Sequence, residues 1–222
     1  MVDGAFGKKM HAKLEEKGLI GLAYYELGFR HITNGKRAIN KVSDLEGLKL
    51  RVIPNPINVD WVKALGANPT PLPFPELYAA LEQGAVDGQE NPIPTINSAK
   101  LYEVQKHMVL TAHQYNPQSV VISKKFWETL SAAEKKIVAD AATESAKFQR
   151  ETARNLEASL LANLKKNGMQ VTQLPESEMS ILRDKMRPVT AKHGVAVGQD
   201  LVKELQAEID KVRSAAPAKK SK

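Results

Sequence analysis

The feature that most constrains this sequence is a long helical stretch without a breaker. Residues 132–166 contain neither glycine nor proline, and their apolar side chains recur at intervals of four, seven or eight residues. Ser131 and Glu134 form a capping-box pattern at its start, and Gly168 follows its end. At 1.5 Å per residue such a helix is about 50 Å long, longer than a small domain is wide. The sequence therefore predicts one helix that packs along more than one lobe.

Upstream of this stretch, short apolar strands alternate with helices. Residues 48–53 form a predicted strand that Pro54 stops, and a predicted helix over 57–65 follows. Two further strands are predicted at 108–115 and 119–123. This alternation is typical of an α/β sheet, in which ligands bind at strand ends.

The basic charge of the chain does not indicate a nucleic-acid partner. The net charge is +7, but most lysines are interleaved with acidic residues, as in residues 13–17. Interleaved charge of this kind marks a solvated helix face. The uncompensated basic cluster lies in residues 214–222, which we predict to be a disordered tail.

The sequence lacks the signatures of an enzyme. The five histidines show no metal-ligand spacing, and there is no cysteine for a thiolate site or a nucleophile. A nucleophile elbow, a phosphate-binding glycine loop and a dinucleotide fingerprint are also absent from the sequence. We therefore expect no catalytic residue, no metal and no cofactor.

Arg51 is the first candidate binding residue. It lies inside the apolar strand 48–53, near the end of that strand. A guanidinium can hold a carboxylate through two parallel hydrogen bonds, so an arginine buried at a strand end suits an anion. The alternative is an arginine paired with a structural Asp or Glu.

Glu90 and Asn91 are the next candidates. Pro92 holds Asn91 outside the α region, which predicts a rigid corner between a strand and a helix. A side chain at such a corner can face a cleft. The alternative is turn chemistry without a ligand.

A third candidate group lies on the strand 108–115. Thr111, His113 and Tyr115 share one face of it by the period of two. They can supply polar contacts to a ligand, or His113 can satisfy a buried backbone group instead.

Together these segments resemble the solute-binding proteins of tripartite ATP-independent periplasmic (TRAP) transporters, the DctP family. The resemblance covers about residues 5–213. The segments that carry it are Gly-Phe-Arg-His-Ile-Thr-Asn at 28–34, Asp-Leu-Glu-Gly-Leu-Lys-Leu-Arg-Val at 44–52, Gly-Ala-Asn-Pro-Thr-Pro at 66–71, Val-Asp-Gly-Gln-Glu-Asn-Pro at 86–92 and Tyr-Glu-Val-Gln-Lys at 102–106. Their combined order and spacing are specific to this family.

The resemblance implies a fold and roles for individual residues. The fold is the two-lobed α/β fold of periplasmic binding proteins, with lobes built from discontinuous segments and the helix 132–166 bracing both. Arg51 matches the arginine that salt-bridges the ligand carboxylate, and Asn91 matches a ligand-contacting asparagine. Phe74 matches an aromatic wall of the site, and Arg30 a second arginine of the cleft.

The resemblance also implies partners, a location and a departure from the family pattern. Such a protein closes around a small organic acid in the periplasm, as a monomer, and delivers it to the permease subunits of the transporter. The acid can be a dicarboxylate, a keto acid, a sugar acid or an aromatic acid. Residues 1–222 match the C-terminal two-thirds of the family pattern, with the N-terminal portion of one lobe missing. Two alternatives are an α/β enzyme acting on a carboxylic acid and an interaction module that uses the long helix.

Overall fold

The computed structural model of the protein describes residues 2–215. The predicted disordered tail falls outside the described residues from residue 216 onward, and residues 214 and 215 belong to the last helix.

The chain forms eight α-helices and six strands over these residues. The helices are α1 Ala5–Ala12, α2 Pro56–Ala64, α3 Leu77–Glu82, α4 Ile93–Ser98, α5 Lys124–Thr129, α6 Ala132–Lys166, α7 Glu176–Val197 and α8 Gln199–Ala215. The strands are β1 Leu19–Asn34, β2 Lys49–Val52, β3 Asn68–Pro71, β4 Gly88–Pro92, β5 His107–Ser123 and β6 Gln170–Gln173. Short 3-10 helices lie at Glu15–Lys17, Val42–Leu45, Phe74–Glu76 and Leu101–Glu103. None of the described helices combines the length and apolarity that a membrane span requires.

The described chain divides into two compact units. Unit 1 contains the residues up to Glu26, Pro117–Thr152 and the residues from Gly194 onward. Unit 2 contains Leu27–Asn116 and Ala153–His193. The boundaries fall inside β1, β5, α6 and α7, so these four elements each contribute to both units.

Unit 2 is organised by a mixed six-stranded sheet with the order β3-β2-β4-β1-β5-β6. Strand β2 runs parallel to β3 and β4, β5 runs parallel to β6, and β1 is antiparallel to β4. Parallel neighbouring strands need a crossover connection, and helix α2 provides it between β2 and β3. The predicted α/β class is confirmed.

Two hydrophobic cores fill unit 2. One gathers residues of β2, α2 and α7, including Leu50, Trp61 and Leu182. The other gathers residues of α3, α4 and the end of α6, including Leu81 and Leu164. Val109 belongs to the first core and its neighbour Met108 to the second, as expected when successive side chains of a strand point to opposite faces of a sheet.

Helix α6 has the bounds that the sequence indicates. The Ser131 hydroxyl accepts the backbone N–H of Glu134 at 3.3 Å, and the Glu134 carboxylate accepts the backbone N–H of Ser131 at 2.8 Å. This reciprocal pair is the capping box that starts the helix. Within unit 1, Tyr25 donates to the Ser145 hydroxyl at 2.9 Å, and within unit 2 the Asn163 amide donates to Asn97 Oδ1 at 2.6 Å.

The structure corrects two details of the sequence interpretation. The strands predicted at 108–115 and 119–123 are one continuous strand, β5, which passes through Pro117. A proline removes only its own N–H, so it need not end the extended backbone. Glu90 and Asn91 lie within β4 rather than in a corner after it, and α4 starts directly after Pro92.

Candidate ligand-binding site

The candidate site lies in unit 2, where β2 and β4 end. Leu50 and Val52 are buried in the first core, so the intervening Arg51 projects from the opposite face of β2. Strand β4 pairs in parallel with β2 through Gly88 and Leu50, which places the carboxyl ends of the two strands at one edge of the sheet. Asn91 near the end of β4 therefore comes to the same edge as Arg51.

Arg51 is buried, with 2% of its surface exposed. Its Nε atom donates to the carbonyl oxygen of Leu72 at 2.7 Å, and its guanidinium carbon lies 5.9 Å from the ring centre of Phe74. Within residues 2–215, neither Nη atom of Arg51 has a hydrogen-bond partner, and no carboxylate forms an ion pair with it. The structural Asp or Glu partner that the alternative required is therefore not found in the described part of the chain.

The electrostatic surroundings of Arg51 link it to Arg30 and Glu90. Burial lowers the pKa of Arg51, because it disfavours the charged form. Glu90 raises that pKa and Arg30 lowers it, so both charges lie within electrostatic range of the Arg51 guanidinium.

Arg30 and Glu90 form a buried ion pair beside it. The side chains are 3% and 2% exposed, and Arg30 Nε donates to Glu90 Oε2. Arg30 Nη2 donates to Glu90 Oε1 at 2.8 Å, to the Glu90 carbonyl oxygen at 2.6 Å and to Asn91 Oδ1 at 3.1 Å. The charge of Arg30 is thus largely compensated within the protein.

Glu90 is also held by His113. Burial raises the pKa of Glu90, but hydrogen bonds from His113 and Arg30 outweigh this effect and leave the pKa below its usual value. His113 Nε2 lies 3.3 Å from Glu90 Oε2, and its Nδ1 lies 2.7 Å from the Thr111 hydroxyl. Glu90 is therefore an anion with two fixed partners.

Asn91 belongs to a second chain of hydrogen bonds. Its Nδ2 donates to Gln89 Oε1 at 2.5 Å, and Gln89 Nε2 donates to the Thr33 hydroxyl at 2.8 Å. Thr33 donates in turn to Gln105 Oε1 at 2.8 Å. Because Arg30 donates to the other end of the Asn91 amide, the orientation of that amide is fixed.

Gly88 permits the close approach of strands that builds this network. A Cβ at Gly88 would lie 2.2 Å from the Thr33 carbonyl oxygen and 2.9 Å from a methyl carbon of Leu50. These distances leave room only for glycine. The glycine of the Val-Asp-Gly-Gln-Glu-Asn-Pro segment is thus required by packing.

The predicted site residues form two groups of residues in contact, and Tyr115 lies outside both. Arg30, Glu90, Asn91 and His113 are joined by hydrogen bonds, and Arg51 and Phe74 form the second group. Tyr115 lies further along β5, where its ring contacts Phe29 with centroids 5.2 Å apart. Phe74 is 45% exposed, which leaves its ring accessible from outside the protein.

Sequence reasoning missed Trp61 and His31. The ring centre of Trp61 lies 4.8 Å from that of His113. Trp61 therefore packs against the hydrogen-bonded group of Arg30, Glu90, Asn91 and His113, which we call the Glu90 cluster. His31 accepts the backbone N–H of Ala112 at 3.1 Å through Nδ1. His31 lies in the Gly-Phe-Arg-His-Ile-Thr-Asn segment. The local sequence pattern predicts neither the contact of Trp61 with His113 nor that of His31 with Ala112.

A model of a known protein family matches most of the chain. The model of the DctP family, described as bacterial extracellular solute-binding protein, family 7, matches residues 1–195. Among curated proteins, the 2,3-diketo-L-gulonate-binding periplasmic protein YiaO of Escherichia coli K12 is 38% identical over 204 residues. That match covers 91% of this chain and 62% of the relative, so the chain spans less than two thirds of the relative's length.

Solved structures give the same result. A TRAP periplasmic solute-binding protein from Ochrobactrum anthropi, with its C-terminus bound in the ligand-binding pocket, is 49% identical with a TM-score of 0.90, over 97% of this chain and 67% of that one. The sugar acid-binding protein DctPAm from Advenella mimigardefordensis, in complex with galactonate, is 41% identical with a TM-score of 0.90, over 95% of this chain and 68% of that one.

The members of this family are periplasmic or extracellular proteins that bind solutes for transport and are not enzymes. The family match, the relatives and the fold agree with the motifs at 28–34, 44–52 and 86–92. The chain belongs to the DctP family of bacterial extracellular solute-binding proteins.

Proposed function

We propose that this chain captures a small organic acid by its carboxylate and presents it to the membrane permease of a TRAP transporter. The observation that carries this proposal is the buried guanidinium of Arg51, whose two Nη atoms have no partner in the described part of the chain. The periplasm as location, the monomeric state and closure of the protein over the bound acid are parts of the same proposal, drawn from the family.

A carboxylate supplies what Arg51 lacks. A buried charge without a counterion is unfavourable, and the effect of burial on the pKa of Arg51 has this origin. The two free Nη atoms present N–H groups in the fork geometry that a carboxylate matches. The Phe74 ring lies 5.9 Å from the guanidinium carbon, within range of a cation–π contact that helps to keep the guanidinium in place.

The charges of the site favour an acid with one carboxylate. Glu90 forms its ion pair with Arg30 and lies only within electrostatic range of Arg51, so the two arginines and Glu90 together carry one excess positive charge. One carboxylate neutralises this charge, whereas a second carboxylate would meet Arg30 already paired with Glu90. YiaO and DctPAm bind diketogulonate and galactonate, which are sugar acids with one carboxylate. We propose a monocarboxylic sugar acid as the ligand.

The remaining residues have supporting roles in this proposal. The Asn91 amide uses one N–H toward Gln89 and keeps its second N–H for a ligand oxygen. Arg30 holds that amide, and Glu90 and His113 in turn hold Arg30 through the Glu90 carboxylate; the three side chains add polar groups for the hydroxyls of the acid. Tyr115 is proposed as a more distant contact through its position beside Phe29.

Three ligands with one carbon skeleton test the proposal by isothermal titration calorimetry. Galactitol has no carboxylate, galactonate has one and galactarate has two. We expect galactonate to bind more tightly than both, because only its charge matches Arg51. Galactitol binding as tightly as galactonate would contradict carboxylate recognition, and tighter binding of galactarate would contradict the single charge.

A further inference from the structure

Ala112 has an unusual backbone conformation in the middle of strand β5. Its φ angle is 44°, in the left-handed region that residues with a Cβ seldom adopt. Such a residue is strained and persists only where its surroundings hold it. Ala112 lies between Thr111 and His113; His113 contacts Glu90, and Thr111 contacts His113.

The two neighbours of Ala112 are in hydrogen-bond contact. The Thr111 hydroxyl lies 2.7 Å from His113 Nδ1, and His113 reaches Glu90 with its other nitrogen at 3.3 Å. A left-handed residue inside a strand changes the direction of the side chains next to it, so the backbone at Ala112 helps to set the direction of His113.

His31 is the group that holds Ala112. It lies on β1, the strand next to β5, and its Nδ1 accepts the backbone N–H of Ala112 at 3.1 Å. The residue opposite His31 on β4 is Asn91. His31 is 5% exposed, and burial, with a smaller effect of His113, lowers its pKa to about 4. The ring is therefore neutral at neutral pH, with Nδ1 as acceptor and the proton on Nε2.

We propose that His31 is a positioning residue of the acid-binding site: by accepting the Ala112 N–H it fixes the left-handed turn that directs His113 onto Glu90. This inference rests on the proposed function for its effect on ligand binding. The contact between His31 and Ala112 can be tested without a ligand, so the two ideas can fail separately.

Three substitutions of His31 separate the acceptor from the size of the ring. In His31→Asn the acceptor Oδ1 is bonded to Cγ, as Nδ1 is in histidine. In His31→Gln the acceptor Oε1 lies one bond further from the backbone, as Nε2 does in histidine. His31→Leu has no acceptor. Hydrogen exchange of the Ala112 amide should be about tenfold or more faster in His31→Leu and His31→Gln than in the wild type, and close to wild type in His31→Asn.

The effect of the His31 substitutions on the site is measured by the NMR signals of the His113 ring and by the affinity for galactonate. We expect the imidazole NMR signals of His113 to move in His31→Leu and to return toward wild type in His31→Asn. Galactonate affinity should fall about tenfold in His31→Leu and less than threefold in His31→Asn. A loss of packing alone would not produce this rescue by asparagine.

A second substitution tests whether His31 acts through Ala112. Glycine adopts positive φ without strain, so Ala112→Gly should reduce the need for the His31 contact. His31→Leu should then shift the His113 signals less in the Ala112→Gly protein than in the wild type. This comparison is a double-mutant cycle.

Two results would overturn the inference. One is the same Ala112 amide exchange rate and the same His113 ring signals in His31→Asn and His31→Gln. This comparison does not need His31→Leu, so it still tests the inference if that variant does not fold. The other is an unchanged His113 signal in a folded His31→Leu protein. If only the proposed function is wrong, the wild type does not bind galactonate, but the His31 substitutions still change the Ala112 amide exchange and the His113 ring signals.

Discussion

Arg51 donates through Nε to the carbonyl oxygen of Leu72, 2.7 Å away, and keeps both Nη atoms without a partner among the described residues. The bond to Leu72 fixes the Nε edge of the guanidinium and leaves the two Nη atoms for another group. Arg30 differs, because Glu90 engages its guanidinium. The two arginines therefore differ: Arg30 is bonded to Glu90 and Asn91, and Arg51 is the one that we propose as the anion-binding residue.

We expect the ring of Phe74 to contribute to ligand affinity more than to folding. It is 45% exposed and 5.9 Å from the Arg51 guanidinium carbon. Without the ring, the Arg51 guanidinium is less well oriented for a carboxylate, so Phe74→Ala should weaken galactonate binding about threefold or more in calorimetry. Phe126→Ala is the matched control, since Phe126 is 54% exposed and lies on α5. Equal affinities of the two variants would speak against a role of Phe74.

The Arg30–Glu90 ion pair should be important for stability. Glu90→Gln leaves the buried Arg30 guanidinium without a counterion, and breaking a buried pair in this way costs about 3–5 kcal/mol. The free energy of unfolding from urea titration measures the loss. Asp140→Asn removes an exposed partner of Lys136 on α6 and should change the stability little. If both variants lose equally little, the buried pair is not a stabilising element.

Gly88 is expected to tolerate no side chain. A Cβ there would lie 2.2 Å from the Thr33 carbonyl oxygen, so Gly88→Ala must push β4 away from β1. We expect a loss of about 1–3 kcal/mol or more in the free energy of unfolding. Gly35→Ala is the control, because the nearest atom to a Cβ at Gly35 is 3.8 Å away. Normal stability of Gly88→Ala would contradict the tight strand contact.

The stability of the protein should fall as the pH drops below the ordinary pKa of histidine. His31 has a pKa of about 4 in the folded protein, against 6.5 when unperturbed, because burial disfavours its charged form. Between these values the unfolded chain binds a proton that the folded protein does not bind, so acid favours unfolding. The difference corresponds to about 3 kcal/mol at the lower end of this range. Urea titrations at several pH values should show a smaller decline for His31→Asn, and an identical decline would exclude His31 as its source.

Much of the fold was predictable from local patterns. Helix α6 follows from an unbroken helical pattern with the Ser131 and Glu134 capping box at its start. The position of Arg51 follows from an apolar strand, since its neighbours Leu50 and Val52 are core residues. These features depend on periodicity and on caps, which are properties of contiguous sequence.

The parts that sequence reasoning missed depend on contacts between distant segments. Trp61 meets His113 from another element, and the Thr33–Gln105 bond links residues far apart in the chain. The positive φ of Ala112 had no signal at all, because alanine is not a residue that favours this conformation. The continuity of β5 was missed because Pro117 is usually a reason to end a strand.

The most direct test of the account is the affinity of Arg51→Lys for galactonate, measured by calorimetry against the wild type. Lysine keeps the positive charge but lacks the paired N–H groups of a guanidinium. We therefore expect Arg51→Lys to bind galactonate at least about tenfold more weakly than the wild type. Arg187→Lys, at a side chain that is 82% exposed, should bind as the wild type does. An Arg51→Lys protein that is folded and binds galactonate with unchanged affinity would contradict the central claim that Arg51 holds the carboxylate.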